Sequence, residues 1–462
     1  MKIKNIVFLA LAAGVFTSCK SLYGKYERPD VKTQGLIRDA VSPTDTLAAT
    51  DTTSFGNMPW RNVFTDSQLQ RLIETGLKNN VDLLNVALNV NMAEAQLKAA
   101  KLAFLPSFTF SPQGTIASWD GMKAATTYSL PVSASWTVDL FGNLLSQKRA
   151  SQMALLASKD YQVVVQTKLI AGIANSYYTL LMLDKQLEIV NGMEKLTKDT
   201  WELMKVQKDL GRVRSTGVQS AEANYYSVLA QKTDIVRQMR EVENSLSLLL
   251  AQPAQAIGRG KLEEQQLPQQ LSTGVGIQLL RNRADVHAAE MKLASCFHQV
   301  QTARSRFYPN LIISPTGAFT NNSGMGIVNP GKWLLSAVGS LVQPIFQRGQ
   351  IVAGLKVAEA QYQQAYNTWQ QSILAAGSEV SNALVQYNSS QEKSDIQGKQ
   401  LAVLRQNVED TKLLMAQSGA TYLEVITTQQ SLLNVELSKV VNDFQKMQAV
   451  VNLYSALGGG VK

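Results

Sequence analysis

Ala100-Lys101-Leu102-Ala103-Phe104-Leu105-Pro106 has a counterpart 203 residues later in Ala303-Arg304-Ser305-Arg306-Phe307-Tyr308-Pro309. The spacing extends outward. Asp82 in Asn80-Val81-Asp82-Leu83 keeps the same offset to Asp285 in Arg283-Ala284-Asp285-Val286. Further on the offset becomes 207, from Gly142 after Phe141 to Gly349 after Phe346, and from Thr216-Gly217-Val218 to Leu423-Glu424-Val425. Constant spacing over several landmarks marks an internal repeat, with a four-residue insertion between the proline and the glycine. The chain of 462 residues is thus long enough for about three ordinary domains but is organised as two copies of one unit.

Each copy has the same plan. A helical run (about 66–104, and 277–307) leads to the proline, and a strand pair follows (about 107–120 with 127–140, and 311–322 with 332–346). Tyr128, Leu130, Val132, Ala134, Trp136, Val138 and Leu140 alternate with Ser129, Pro131, Ser133, Ser135, Thr137 and Asp139. Period-two alternation is the strand signal, and such length with apolar-out, polar-in faces suits a transmembrane β-strand. The alternation is weaker over 311–320 and least clean over 333–346. Trp119, Trp136 and Trp333 suit interfacial belts. Four strands cannot close a barrel in lipid, where an open edge is prohibitive, so a membrane reading requires an oligomer; three copies supply twelve strands.

After the strands come residues 132–252 and 345–462, neither containing proline. Without that breaker, Leu144 to about Leu210 can form one helix of roughly 100 Å at 1.5 Å per residue. Over 355–391 the apolar stripe recurs at threes and fours, while the other faces carry Gln, Ser and Asn. Charged residues are only 17%, against roughly 25% in an average soluble domain. The net charge of +9 is scattered, with no run resembling a nucleic-acid arm.

At the N-terminus, Lys2 and Lys4 precede the apolar run Ile6 to Phe16, which is too short to span a membrane and reads as a signal peptide. Val15-Phe16-Thr17-Ser18-Cys19 resembles a bacterial lipoprotein signal, with cleavage after residue 18 and a lipid on Cys19. Lys20 stands where an Asp would mark inner-membrane retention, and by that resemblance the outer membrane is favoured. Residues 19–60 read as a lipidated tether rich in Thr, Asp, Ser and Pro.

Two histidines and two cysteines leave little for a His-based catalytic centre, a metal site or a disulfide framework. Gly258-Arg259-Gly260-Lys261 lacks the spacing and hydroxyl residue of a phosphate loop. Cys296 and His298, two apart on a helix, face different directions. The expectation is no enzyme, no cofactor and no metal.

The assembled pattern resembles the TolC-like outer-membrane efflux channel family, in its lipoprotein branch typified by OprM and CusC. Trp136-Thr137-Val138-Asp139-Leu140-Phe141-Gly142 looks like the family's first strand-to-helix junction, and Gln343-Pro344-Ile345-Phe346-Gln347-Arg348-Gly349 like the second. Leu279-Leu280-Arg281-Asn282-Arg283-Ala284-Asp285-Val286 resembles the entry into repeat two, with Ala284 where the family has Pro. The resemblance implies a mainly α fold with membrane β-strands, and a homotrimer with a twelve-stranded barrel, a helical periplasmic tunnel and a belt of mixed structure. The first repeat is 61–252, the second 277–462, and a link at 253–276 belongs to the belt. It also implies passive conduction from an inner-membrane RND-type pump through a periplasmic adaptor to the exterior. The tips fall at 211–217 and 419–425. Gly211, Arg212, Arg214, Gly419, Thr421 and Tyr422 would meet the adaptor, and Glu424, Thr427 and Gly217 would lie at the gate. Tyr422-Leu423-Glu424-Val425-Ile426-Thr427 matches a family motif whose two acids line the constriction. Glu424 keeps the first acid, Thr427 departs from the second, and Gly217 departs from an Asp common in repeat one. The resemblance therefore implies one ring of three Glu424 carboxylates; the other reading of Glu424 is an acid placed at a helix N-terminus by the dipole. Competing functions are an exit duct for type I protein or peptide secretion and a non-channel coiled-coil envelope lipoprotein.

Overall fold

A computed structural model describes residues 24–30, 55–118, 120–121, 124–266, 283–322, 327–417 and 421–460. The duplication is visible in its helix lengths. Helices α3 (Val81–Leu102) and α6 (Ala284–Ser305) each have 22 residues and lie 203 apart. Helices α4 (Asn143–Asp209) and α7 (Gln350–Ala416) each have 67 residues, and α5 (Ser215–Leu249) and α8 (Tyr422–Ala456) each have 35, both pairs 207 apart. Short helices α1 (Trp60–Val63) and α2 (Ser67–Asn79) precede the first copy.

The helical run expected over 66–104 is two helices. Asn80 divides them: its side-chain oxygen accepts from the Leu83 amide (3.0 Å) and caps α3, and its side-chain nitrogen donates to the Leu249 carbonyl (3.0 Å). In repeat two the described helix begins at Ala284, and residues 277–282 lie outside the described residues. The strand expected over 107–120 is likewise two pieces, β1 (Ser107–Phe110) and β2 (Gln113–Ala117). Both pair antiparallel with β3 (Ala125–Val138) in one continuous register, and Pro112 between them has no N–H to donate to the ladder. Strand β4 (Asn310–Asn322) pairs with β3 and with β5 (Ile327–Val342). Strand β5 stops at Val342, short of the expected 346, where Pro344 follows. The order across the sheet is β1 and β2, then β3, β4 and β5.

The register assigns the faces, because residues directly opposite share a side. Phe110, Val132, Gly317 and Leu335 form one row, and Leu130, Phe319 and Trp333 another, on the apolar face. Thr109, Ser133, Thr316 and Ser336 form a row on the opposite face, where the Ser133 and Thr316 hydroxyls lie 3.2 Å apart. Strand β5 contributes Trp333, Leu335 and Leu341 to the apolar face, but Leu334, Val338 and Val342 to the other, which explains its uneven pattern.

The chain divides into two compact units, one containing residues 88–159 and 287–371, the other 160–286 and 372–462. The first holds the sheet. On its helices rests the described part of the tether: Arg28 pairs with Glu290 (3.3 Å) and lies 5.6 Å over the Trp369 ring, and Tyr26 meets Phe297 edge-on. The second has a core in which Phe55, Trp60, Phe64, Leu69 and Ile73 bury against Ile170, Ile173 and Tyr177 of α4 and Val451 and Tyr454 of α8. The end of the expected tether, from Phe55, is therefore core rather than linker. Its aromatics interrupt the polar composition that marks the rest. Tyr454 closes the contact by donating to the Met58 carbonyl (2.7 Å) and meeting Phe55 and Phe64 edge-on.

Candidate functional site

The strand-to-helix junctions are built the same way twice. Trp136 donates from its indole nitrogen to the Phe104 carbonyl (3.0 Å), and 207 residues on, Gln343 donates to the Phe307 carbonyl (2.9 Å). Gly142 and Gly349, at φ +66° and +78°, turn the chain into α4 and α7 in a conformation that L side chains rarely adopt. The junctions differ in their caps. Asp139 accepts from the amides of Leu144 (3.1 Å) and Leu145 (2.8 Å) at the start of α4. At the corresponding place before α7 stands Phe346, which is 83% exposed. Phe141 stacks on Tyr308 at 5.1 Å, tying the two copies together, while Pro344 is half-buried.

The tips lie within the second unit. Helix α4 ends in a Schellman motif: the Arg212 amide donates to the Gln207 carbonyl, the Gly211 amide to Lys208, and Gly211 has φ +71°. Arg212 and Arg214 are exposed, and Arg214, the residue before α5, provides no side-chain cap. Gly217 does not shape the turn. It lies inside α5, buried, and a Cβ there would come within 2.9 Å of Val213, 3.0 Å of Met204 and 3.2 Å of the Tyr422 ring. Gly217 thus lets α5 and the start of α8 approach closely, and the Asp of the family pattern has no room in this packing.

At the second tip, Gly419 lies outside the described residues. Thr421 and Glu424 form a capping box: the Thr421 hydroxyl accepts from the Glu424 amide (3.4 Å) and the Glu424 carboxylate accepts from the Thr421 amide (2.7 Å). The Thr421 hydroxyl also donates to the same carboxylate (3.0 Å), and the hydrogen bonds from the Thr421 amide and hydroxyl hold the exposed Glu424 carboxyl below the usual carboxylate range. Thr427 donates its hydroxyl to the Leu423 and Glu424 carbonyls of its own helix. Beneath the tips, Gln429 is fully buried and donates to Thr200, and Gln430 donates to Asn224. Met204, Val218, Ala221, Met415, Val425 and Ile426 form a small apolar cluster there.

Sequence reasoning missed the residues that hold the link. Arg259 of the discarded glycine-rich motif donates to Asp184 of α4 (2.5 and 3.0 Å) and Glu243 of α5 (2.8 Å). The hydrogen bonds it donates to Asp184, outweighing burial, push its guanidinium further up. Nearby, Tyr177 donates to Asp66 (2.6 Å) and accepts from the Gly260 amide (2.9 Å). The only hint in the sequence was a charged residue between two glycines. A groove of about 1350 Å³ runs beside the link over α4, α7 and α8. Its floor includes Met193, Leu196 and Leu432, and its rim charges pair with one another, Arg405 with Glu436 (2.8 Å) and Lys439 with Asp443 (3.0 Å).

Among the described residues, no group of three His, Cys, Asp or Glu is placed to hold a metal ion. His298 is buried against Phe297; burial, with help from Arg149, pushes it down to about 4, so it is neutral at pH 7. Burial pushes the Cys296 thiol up. Cys19 lies outside the described residues.

The profile of the family described as outer membrane efflux protein matches residues 72–252 and 276–459, both copies of the repeat. The chain belongs to that family. It is 26% identical over 477 aligned positions to a probable outer membrane lipoprotein, SilC, of Salmonella typhimurium, covering 100% of this chain and 99% of the relative. It is 28% identical to the cation efflux system protein CusC of Escherichia coli K12, covering 96% of this chain and 97% of CusC. Among solved structures, the open state of the Neisseria gonorrhoeae MtrE outer membrane channel superposes with a TM-score of 0.84 at 22% identity, covering 95% of this chain and 98% of that one. The fold is therefore that of an outer-membrane channel protomer, with strands for a β-barrel and long helices for a helical barrel.

Proposed function

We propose that three copies of this chain form the outer-membrane channel of a tripartite efflux system. The channel passively conducts substrates delivered by an inner-membrane RND-type pump and a periplasmic adaptor, and it carries out no catalysis. The observation that carries this reading is the sheet. One face is apolar, the other carries the hydroxyl row of Thr109, Ser133, Thr316 and Ser336, and the outer edges of β1, β2 and β5 have no partner strand among the described residues. Edges of this kind cannot be left open in lipid. Three such sheets joined edge to edge make a closed barrel with the apolar face toward lipid and the polar face toward water. A coiled-coil spacer has no use for such a sheet. A lipid on Cys19 would hold the N-terminus at the same membrane, with the helices extending into the periplasm.

The tips are the gate in this reading. Three Glu424 carboxylates converging on the axis favour cations and repel one another. In the protomer the hydrogen bonds from the Thr421 amide and hydroxyl hold each carboxyl below the usual carboxylate range. The test is single-channel recording in planar bilayers. The unboiled trimer should insert and conduct, and Glu424→Gln should lose cation preference and its pH response. An unchanged preference in the variant overturns the gate ring, and migration only as a monomer overturns the channel.

A further inference from the structure

All four connectors between strands and helices leave the same end of the sheet, since Ser107 pairs with Ser135, Val138 with Leu311, and Asn310 with Val342. They are tied together there by the Phe141–Tyr308 stack, by the Trp136 and Gln343 hydrogen bonds, and by Asn143 donating to Ser305 (2.7 Å). The charge at this end is one-sided. Residues 98–106, 139–149, 304–311 and 343–356 contain eight Lys or Arg and one acid, Asp139. That acid is occupied in capping α4. Among the described residues, Lys98, Lys101, Arg306 and Lys356 are exposed without an ion pair. Between this basic collar and the strands lies a band of exposed apolar side chains: Leu105, Leu140, Phe307, Ile345 and Phe346. The strands β1 to β4 and the described residues of β5 carry no charged side chain on their apolar face.

The order along the strand axis is therefore apolar face, then aromatic and aliphatic band, then unpaired cations. This is the sequence of environments from hydrocarbon to headgroup in an anionic leaflet. Aromatic side chains settle at the interface, and Lys and Arg stems lie along apolar surface with their heads at the phosphates. We propose that the basic collar is a binding surface for anionic phospholipid headgroups, concentrating them around the helical end of the barrel. The proposal rests on the sheet being membrane-embedded, as argued above, and adds which lipid the protein selects there. Each basic residue near a membrane surface adds attraction that falls off within a Debye length, so the selection is collective and salt-sensitive.

The experiment uses the full chain reconstituted in phosphatidylcholine vesicles containing trace spin-labelled phosphatidylglycerol or spin-labelled phosphatidylcholine. Electron paramagnetic resonance reads the motionally restricted fraction of each probe. The expected result is about threefold preferential association of phosphatidylglycerol, reduced towards unity in 0.5 M salt and in the variant Lys98→Gln/Lys101→Gln/Arg306→Gln/Lys356→Gln. The variant's conductance should match the wild type, showing that it still inserts. Equal association of the two probes with an inserted, conducting wild type overturns the collar and leaves the channel standing. So does a preference that persists in the conducting variant. A wild type that does not insert overturns both readings. If the quadruple variant fails to insert, the two double variants are measured in its place, each expected to lose part of the preference.

Discussion

Asp66 accepts hydrogen bonds from the Gln68 and Leu69 amides at the start of α2, from Tyr177 on α4 and from Gln265 on the link. Burial alone would raise its carboxyl, but these donors carry it below the ordinary carboxylate range. The folded value lies under the unfolded one of about 3.9. Ionised Asp66 therefore contributes stability above that pH, and the contribution is lost as pH falls through the folded value. Replacing Asp66 with Ala removes a helix cap and the Tyr177 partner and should cost about 2 kcal/mol, read as a lower urea midpoint of the detergent-solubilised protein. A midpoint equal to wild type at pH 7 would show that the cap carries nothing. At this scale the sequence was least legible. An Asp before Ser-Gln-Leu announces a helix start, but nothing local says that Tyr177, 111 positions away, will meet it. Arg259 fell in a motif resembling something else, and the close packing of Gly217 depends on Tyr422, which lies in the other repeat.

The helices were the most legible elements. A proline-free stretch with an apolar stripe can do little but form a long helix, and α4 runs over Asn143–Asp209 where Leu144 to about Leu210 was expected. The breaks were less visible, since they depend on single side chains: Asn80 caps the following helix, and Pro112 interrupts a ladder. The repeat also exposes an imperfect helix end. Both α5 and α8 finish in a Schellman motif, with the Gln252 amide donating to Ser247 and the Gly459 amide to Tyr454. The left-handed residue is Gly458 (φ +79°) in the second copy but Ala251 (φ +52°) in the first. A Cβ in that conformation is strained. Ala251→Gly should stabilise the protein by about 1 kcal/mol, seen as a higher melting temperature. A lower one would mean that Ala251 packing outweighs the backbone term.

For the whole molecule, the face assignment makes opposed forecasts for adjacent residues. Leu335 lies on the apolar face, 81% exposed on the protomer, and Ser336 on the polar one. Leu335→Arg should weaken insertion by about 2–4 kcal/mol if it sits near the bilayer midplane, seen as loss of heat-modifiable trimer from outer-membrane fractions. Ser336→Arg should insert normally and shift pore conductance. The reverse result would invert the faces. The low charge content also acquires a meaning at this scale, as uncharged polar residues suit surfaces that face other helices on one side and water on the other. The sequence by itself determined the duplication, the long helices and the amphipathic strands. These depend on periodicity and on where proline and glycine stand, which are properties of neighbouring residues along the chain. The tertiary structure alone decided the register that sorts β5 onto two faces, the closing of the N-terminal aromatics and the link onto the middle of α4, and the burial of Gly217. The register depends on which residues of β4 face β5, and the other two on contacts between residues from 111 to 396 positions apart, for which no local pattern carries the information.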